Sequence, residues 1–283
     1  MVQEQCTIVV CSKNSERTIF DCLTSLDKYT SCRKILVDGF SNDLTREIAK
    51  NFTIDIVDGS GKGLTADRQI GIELSKTKYT IFVDSDHIIP KNFVIEILDL
   101  IESTNFDLLQ TRLALLHPEG ILNKGEDAYY KIVHNNFMEN IIPGIAPAIF
   151  KTSLFKRGNP LEIDDGKTQT IEDTNWSHKA RKLGYKIGIG GPVVLQKHEA
   201  GLKAYIGKFY WYGLGDAEFC LSSTLRISMK HLFHLVVRYP FLYSLRAIKL
   251  RAFEAIPFLL LQGFTRFSVC LYFSLTTRKQ KYG

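Results

Sequence analysis

Strand-like and helix-like segments alternate along the first part of the chain, and this alternation restricts the fold more than any other feature of the sequence. Four short runs are apolar and β-prone: Cys6–Cys11 (CTIVVC), Lys34–Val37 (KILV), Ile54–Val57 (IDIV) and Tyr79–Val83 (YTIFV). Between them, apolar residues recur three or four positions apart, as in amphipathic helices. The resulting β-α-β-α-β-α-β order predicts an α/β fold, a Rossmann-like and mostly parallel sheet with helices on both faces.

Polar or glycine-rich residues follow each of these predicted strands. They are Ser12 and Asn14, then Asp38 and Ser41, then Asp58 to Gly63, then Asp84 and Asp86. Parallel sheets bind ligands beyond the carboxyl ends of their strands. We therefore expect these residues to share one rim and to form a ligand site there.

Two carboxylates, Asp84 and Asp86, end the Tyr79–Val83 run with one serine between them. Side chains two positions apart on an extended strand point the same way, so both could bind one hard cation such as Mg²⁺ or Mn²⁺. The alternative is that they only mark where a buried strand reaches the surface. His198 could be a further metal ligand through a neutral imidazole nitrogen, or a solvated loop residue.

The segment Asp58–Arg68 (DGSGKGLTADR) places three glycines before a helix that begins near Thr65. Its backbone N–H groups could approach a phosphate while Arg68 holds a diphosphate, or the segment could be a flexible turn. Asp38 could accept hydrogen bonds from a nucleobase or ribose, or could form a turn with Gly39.

The sequence Thr170–Asp173 (TIED) opens a predicted helix over residues 171–183. Thr170 and Asp173 have the spacing of a helix cap, which is a purely structural explanation. A carboxylate at a helix N-terminus could also be a general base for an acceptor hydroxyl group.

The six cysteines form neither a C-x-x-C pair nor a zinc-ligand spacing, and the N-terminus has no basic region followed by an apolar stretch. These features argue against a disulfide framework, a structural zinc site and export. The sequence therefore predicts a cytoplasmic protein.

Residues 221–283, called the basic tail below, contain ten Lys and Arg against one acid, Glu254, so they contribute +9 to a chain of net charge +6. Glu254, Gln262 and Arg266 interrupt the apolar stretch 253–275, which argues against a membrane span of about 18 uncharged residues. Basic residues between apolar faces predict amphipathic helices on an anionic membrane surface. The alternative is a solvated face of helices packed on the catalytic domain. Nucleic acid is not expected as a partner, because no known binding motif accompanies the charge.

Taken together, these segments resemble the family 2 glycosyltransferases of the GT-A fold over about residues 5–215. Five motifs in the expected order carry the resemblance: Thr7–Leu26 (TIVVCSKNSERTIFDCLTSL), Val37–Thr45 (VDGFSNDLT), Gly61–Ile72 (GKGLTADRQIGI), Asp84–Asp86 (DSD) and Ile171–Ile187 (IEDTNWSHKARKLGYKI). The resemblance implies an inverting, metal-dependent transfer of one sugar from a nucleotide-sugar donor to a hydroxyl group of a glycan or lipid-linked acceptor.

The resemblance also implies roles for individual residues. The donor would be bound by Ser12 and Asn14 at the rim, Asp38 at the base, Arg68 at the diphosphate or nucleoside, and Asp84 at the ribose. Asp84, Asp86 and His198 would bind the metal, Mn²⁺ or Mg²⁺, and Asp173 would be the general base.

Three departures from the family pattern concern donor preference and processivity. Gly39 stands where a second acid is usual and Phe40 where glycine is common, which leaves the nucleobase open. Gln69 follows Arg68 where Asn is frequent. The segment 208–213 (KFYWYG) replaces the Q-x-x-R-W signature of processive synthases, which favours single-sugar transfer.

We expect residues 1–220 to form the catalytic domain, with a nucleotide-sugar half over about 1–116 and an acceptor half over about 117–220. Residues 221–283 would attach peripherally to the cytoplasmic face of a membrane. Two alternatives remain: a haloacid-dehalogenase-like phosphohydrolase, whose D-x-D normally ends the first strand, and a non-catalytic nucleotide-binding scaffold.

Overall fold

The computed structural model describes residues 2–134, 138–139, 144–163, 172–198 and 201–282; within these ranges, the side chains of residues 2–3, 138–139, 172–175, 178 and 277–282 are left aside. The chain divides into two compact units. The first lies within residues 1–116, 134–167 and 172–197, and the second within 117–133, 168–171 and 198–283.

The first unit is built on one sheet of nine strands in the order β3-β2-β1-β4-β8-β6-β9-β5, with β7 paired to β9. The strands are β1 (Cys6–Ser12), β2 (Arg33–Asp38), β3 (Asp55–Asp58), β4 (Tyr79–Asp84), β5 (His87–Ile88), β6 (Leu108–Leu115), β7 (Met138–Glu139), β8 (Ala148–Lys151) and β9 (Ile187–Gln196). The α/β class and the four strands predicted before residue 88 are confirmed.

The sheet is mixed where a mostly parallel one was expected. β1 to β4 pair only in parallel with one another, as the strand–helix alternation predicts. β8, in contrast, is antiparallel to both β4 and β6, and β5 and β7 are antiparallel to β9. β6 and β9 are parallel to each other, so the second half of the sheet combines both kinds of pairing.

The α-helices are α1 (Ile19–Tyr29), α2 (Thr45–Ala49), α3 (Leu64–Leu74), α4 (Phe93–Thr104), α5 (Gly120–His134), α6 (Glu172–Lys182), α7 (Leu202–Ser222), α8 (Leu225–Phe233), α9 (Ser244–Lys249) and α10 (Ala255–Tyr282). In the first unit, the central strands are buried on both faces, which explains their continuous apolar runs. All six cysteines are buried thiols.

Helix α3 packs very closely on strand β1. A Cβ atom at Gly71 would lie 2.3 Å from Cγ1 of Val9, a distance that real side chains do not reach. Glycine at this position therefore lets α3 approach the sheet and fixes where the first turn of α3 meets the rim.

The second unit consists of helices around an aromatic and aliphatic core. Tyr205, Phe209, Phe258 and Leu259 are among its fully buried side chains. Between α8 and α9 the residues His234–Tyr243 form a π-helical segment that contains Pro240, whose missing N–H is tolerated in this wider turn. Helix α7, which the sequence analysis placed in the catalytic domain, belongs to this unit together with residues 117–133.

Within the described part of the chain, one helical stretch, Ala255–Thr276 of α10, is long and apolar enough to cross a membrane by length and composition alone. It passes this criterion although Arg266 interrupts it, and about a third of it is buried inside the protein.

Candidate active site

Strand register brings the polar strand ends of the first unit together. In β1, Ser12 pairs with Asp38 of β2 and Cys11 with Asp84 of β4, and Asp38 in turn pairs with Asp58 of β3. The carboxyl ends of four neighbouring parallel strands thus lie at one level, which is the rim predicted from the sequence.

Asp38 is completely buried and organises the loop that follows β2. One carboxylate oxygen accepts a 2.6 Å hydrogen bond from Oγ of Ser41, and the other accepts bonds from the backbone N–H of Ser41 and from Nη1 of Arg46. Nη1 of Arg46 also lies 2.6 Å from Oδ1 of Asp58. Arg46 was missed in the sequence because nothing local shows that it bridges two strand ends.

The residues around the first strand end are also tied to this loop. The backbone N–H of Asn14 donates to Ser41, and Oδ1 of Asn14 accepts from the backbone N–H of Asn42, both at 2.9 Å. Oγ of Ser12 is buried and has no hydrogen-bond partner among the described residues. Phe40 is exposed at a positive φ of 59°, the backbone region that favours glycine.

A second buried acid, Asp67, organises the glycine-rich loop. Its Oδ1 accepts bonds from the backbone N–H and the hydroxyl group of Ser60, at 2.6 and 2.9 Å. A Cβ at Gly59 would lie 2.7 Å from Oδ1 of Asp67, and one at Gly39 would lie 3.0 Å from Oδ2. An acidic side chain at position 39 would therefore crowd Asp67, which accounts physically for glycine there. The sequence signal for Asp67 was an acid in the first turn after the loop.

Arg68 forms an ion pair with the first acid of the D-x-D motif. Its Nη2 lies 3.0 Å from Oδ1 of Asp84, and the arginine side chain is only 7% exposed whereas that of Asp84 is 35% exposed. Burial favours the protonated carboxyl group, but the charge and the hydrogen bond of Arg68 outweigh it and hold the pKa of Asp84 below its ordinary value. Asp84 is therefore an ionised carboxylate that remains accessible.

Asp86 is held in place from strand β9. Its Oδ2 accepts a 2.8 Å bond from Nε2 of Gln196, and its backbone oxygen accepts a 2.8 Å bond from the N–H of Lys197. Neither Gln196 nor Lys197 was identified from the sequence, because the partner lies 110 residues further along the chain.

Among the described residues, Asp84, Asp86 and His87 form one cluster whose potential ligand atoms lie within 4.8 Å of one another. Nδ1 of His87 accepts the backbone N–H of Asp84, so the neutral ring carries its proton on Nε2, which faces Asp86. His87 is thus a poor ligand in this arrangement. The two accessible carboxylates match the oxygen ligands that Mg²⁺ and Mn²⁺ prefer, and so they fit the predicted ion.

The predicted base, Asp173, lies in the first turn of α6. The helix begins at Glu172, close to the predicted start, but Thr170 and the side chain of Asp173 fall outside the described part of the protein. The role of Asp173 as a base stays a prediction.

His198 belongs to the second unit. Its ring stacks on Tyr205 with centroids 5.3 Å apart, and its Nδ1 lies 4.0 Å from Oε2 of Glu126. The buried Glu126 also accepts bonds from Tyr205 and Lys208, at 2.8 and 2.7 Å. Burial alone would raise the pKa of Glu126, but Lys208 and His198 lower it. The role of Glu126 as a buried anion was not identified from the sequence, and metal binding by His198 stays a prediction.

Comparisons with known proteins agree with this architecture. Residues 7–137 match the model of glycosyl transferase family 2. No curated protein sequence matches the chain.

Among solved structures, the fold is similar to residues 1–349 of S. aureus TarS, with a TM-score of 0.56 and 17% identity over 98% of this chain and 92% of that one. The same TarS fragment in complex with UDP-GlcNAc gives a TM-score of 0.54 at 14% identity, with the same coverage. Glucosyl-3-phosphoglycerate synthase from Mycobacterium tuberculosis, in complex with Mn²⁺, UDP and phosphoglyceric acid, gives 0.55 at 14% identity, over 76% of this chain and 77% of that one.

The structural likeness establishes the fold, and the sequence match assigns residues 7–137 to the family. Four parallel strands, a D-x-D motif after the fourth strand and an arginine that contacts it lie inside the matched segment. Residues 7–137 are therefore a glycosyl transferase family 2 segment, in a glycosyltransferase with the GT-A fold.

Proposed function

We propose that this protein is an inverting, metal-dependent hexosyltransferase that moves a single sugar from a nucleotide-sugar donor to a hydroxyl group of a glycan or lipid-linked acceptor. The observation that carries the proposal is the rim of the first unit, where Asp84 and Asp86 lie beside the buried Asp38 and the Asp84-bound Arg68. UDP sugars are the first donors to test, because the similar TarS fragment was solved with UDP-GlcNAc.

In this proposal, the rim residues bind and orient the donor. A divalent cation, Mn²⁺ or Mg²⁺, bound by Asp84 and Asp86 would neutralise charge on the departing diphosphate. Arg68 keeps Asp84 ionised and adds positive charge at the same edge. Asp38 fixes the loop that would face the nucleoside, and the unpartnered hydroxyl group of Ser12 offers a hydrogen bond to it.

The remaining assignments rest on the resemblance and on chain position. Asp173 would take the proton of the acceptor hydroxyl group as that oxygen attacks the anomeric carbon from the face opposite the diphosphate, which inverts the configuration. His198 would be a third metal ligand.

A panel of nucleotide sugars, incubated with Mn²⁺ or with a chelator, tests the proposal. We expect at least one donor to be hydrolysed slowly without acceptor, and only when the metal is present. Release of phosphate from simple esters without any nucleotide-sugar turnover would favour the phosphohydrolase alternative. Nucleotide binding without hydrolysis or transfer across the panel would favour the non-catalytic scaffold. The position of D-x-D after the fourth strand, not the first, already disfavours the phosphohydrolase.

For partners, we propose an acceptor at the cytoplasmic face of a membrane and peripheral attachment of the basic tail to anionic lipid. The +9 excess of residues 221–283 supports this assignment. We do not expect nucleic acid to be a partner.

A further inference from the structure

We propose that residues 225–253 form a membrane-docking face that lies flat on an anionic lipid bilayer, while α10 remains packed inside its own unit. This inference deepens the proposed peripheral attachment and rests on it. It assigns the lipid contact to the short helices α8 and α9 and the π-helical segment between them, and not to the long apolar helix.

Large apolar side chains are unusually exposed along this face. Ten of them are exposed within 29 residues: Leu225, Ile227, Met229, Phe233, Phe241, Leu242, Leu245, Ile248, Leu250 and Phe253. Several are more than half exposed, including Leu225 at 66% and Leu245 at 62%. Apolar side chains concentrated in this way mark a surface that contacts a partner or a membrane.

The charge of the same residues selects the partner. Residues 225–253 contain six basic side chains and no acidic one. The basic residues are Arg226, Lys230, Arg238, Arg246, Lys249 and Arg251. Among the described residues, none of the six forms an ion pair with a carboxylate. Exposed apolar chains with interspersed Lys and Arg are typical of segments that insert at the boundary between headgroups and acyl chains of anionic lipid.

The charge also disfavours a second copy of the chain as the occupant. Two identical faces brought together would place six positive charges opposite six more without a compensating acid, and like charges in contact are costly.

Helix α10 is held away from this role by a buried ion pair. Nε and Nη2 of Arg266 each lie 2.8 Å from an oxygen of Asp216 on α7, and Nε2 of His231 on α8 lies 2.8 Å from Oδ1 of Asp216. Asp216 is completely buried. Crossing a bilayer as an isolated span would separate these partners and leave charges unpaired in hydrocarbon.

Close packing holds α10 in the same way. A Cβ at Gly213 of α7 would lie 2.7 Å from Cβ of Val269, and one at Gly263 would lie 3.0 Å from the backbone oxygen of Leu235. α10 therefore contacts both α7 and the π-helical segment at backbone distance. These contacts hold one face of α10 inside the second unit.

Flotation of the full chain with lipid vesicles tests the docking face. We expect the protein to float with vesicles of phosphatidylcholine and phosphatidylglycerol, to stay behind with phosphatidylcholine alone, and to be released by high salt and by alkaline carbonate. A charge variant, K230E/K249E/R251E, and an apolar variant, F233S/L245S, should each bind at least about tenfold more weakly. The control K91E/I95S, which changes exposed residues of the first unit, should bind as the wild type does.

Several results would overturn the inference. Resistance of the wild type to carbonate would make α10 a membrane span. Equal flotation of wild type and both variants would move the contact elsewhere in the chain. Concentration-dependent dimers that F233S/L245S abolishes in light scattering would identify the face as an interface between copies.

Two further measurements keep the outcomes separate. Circular dichroism and thermal unfolding of each variant should match the wild type, because the substituted side chains are exposed. UDP binding in the presence of Mn²⁺ should be unchanged in the docking variants. If the wild type does not float with vesicles, the proposed membrane attachment is wrong. If the wild type does not bind UDP, the glycosyltransferase proposal is contradicted, but the flotation result is unaffected.

Discussion

At the scale of single residues, Asp216 shows most clearly how neighbouring groups determine the pKa of a buried acid. Burial alone would raise its pKa, but the charge of Arg266 and the hydrogen bonds from His231 and Arg266 lower it to about 2. The stabilisation from this lowered pKa is therefore complete above the pKa of the unfolded chain and is lost as the pH falls toward 2.

Replacing Asp216 by Asn should destabilise the protein by about 3–5 kcal/mol, because Arg266 would keep a buried charge without a counter-ion. Urea unfolding at neutral pH measures the loss. The double variant D216L/R266M removes both charges and should lose clearly less than D216N. A loss below about 1 kcal/mol in D216N would show that the ion pair does not hold α7 and α10 together.

Replacing Asp173 by Asn should reduce sugar transfer by about 10²–10⁴-fold, the usual contribution of a general base, while nucleotide binding persists. Steady-state kinetics with the best donor and acceptor, together with calorimetric UDP binding, measure both effects. Glu172→Gln, a change of the neighbouring acid, is the matched control and should stay active. Unchanged turnover in D173N would remove Asp173 from the mechanism.

Some site residues could be identified from the sequence and others could not, and the two groups differ in how far along the chain their partners lie. Asp38, Arg68, Asp84 and Asp86 stand in short motifs at strand ends, and parallel pairing brings strand ends together. Arg46, Gln196 and Glu126 carry no local signal, because each is defined by a partner far along the chain or across a loop. Contacts of this kind cannot be derived from spacing.

At the scale of elements, the packing of α3 on β1 determines the position of Arg68 relative to Asp84 at the end of β4. Substituting Gly71 by Ala should cost about 1–3 kcal/mol of stability by overpacking against Val9, and should weaken UDP binding because the first turn of α3 shifts. Urea unfolding and calorimetry measure the two effects. Gly207→Ala in α7, where a Cβ meets no atom within 4 Å, should be neutral or slightly stabilising. Equal behaviour of the two variants would contradict the close contact.

Helix α5 ends in a buried histidine that should make stability fall at acidic pH. Burial lowers the pKa of His134 to about 4, and its Nδ1 accepts the backbone N–H of Leu113. The unfolded chain therefore binds more protons below about pH 6.5, and stability should decline as the pH falls from there, by up to about 1.4 kcal/mol per pH unit, until the decline ends near pH 4.

Unfolding free energies measured between pH 7 and pH 4.5 test this expectation. His134→Asn keeps an acceptor for the Leu113 N–H but does not titrate, so it should flatten the pH dependence. The burial of His234 lowers its pKa to about 3, so a residual slope of the same sign should remain in H134N. An unchanged slope in H134N would contradict the role of His134.

The elements before residue 88 could be predicted because apolar residues recur with the spacing of a strand or a helix in each of them. The helices between the strands also require the strands to be parallel. Beyond that point the sequence was less informative. Strand β8 follows a Gly-Pro stretch and pairs antiparallel with β4 and β6, so its direction depends on strands distant in the chain and not on a local pattern. The apolar length of α10 is likewise visible in the sequence, whereas the ion pair of its Arg266 with Asp216 is not.

At the scale of the whole molecule, the two units have different chemistry. The first carries most of the family match and the acidic rim at the ends of β1 to β4. The second is basic, helical and rich in exposed apolar side chains between residues 225 and 253. This division agrees with a nucleotide-sugar site in the first unit and a lipid-facing surface in the second.

The central claim is that Asp84 and Asp86 make nucleotide binding depend on a divalent cation. Calorimetric titration with UDP, in Mn²⁺ and then in a chelator, tests it on the wild type, on Asp86→Asn and on the exposed-acid control Asp99→Asn. We predict that Mn²⁺ tightens UDP binding at least about tenfold in the wild type and in D99N, and has little effect in D86N. The same affinity with Mn²⁺ and with chelator in the wild type, or a full metal effect in D86N, would contradict the account.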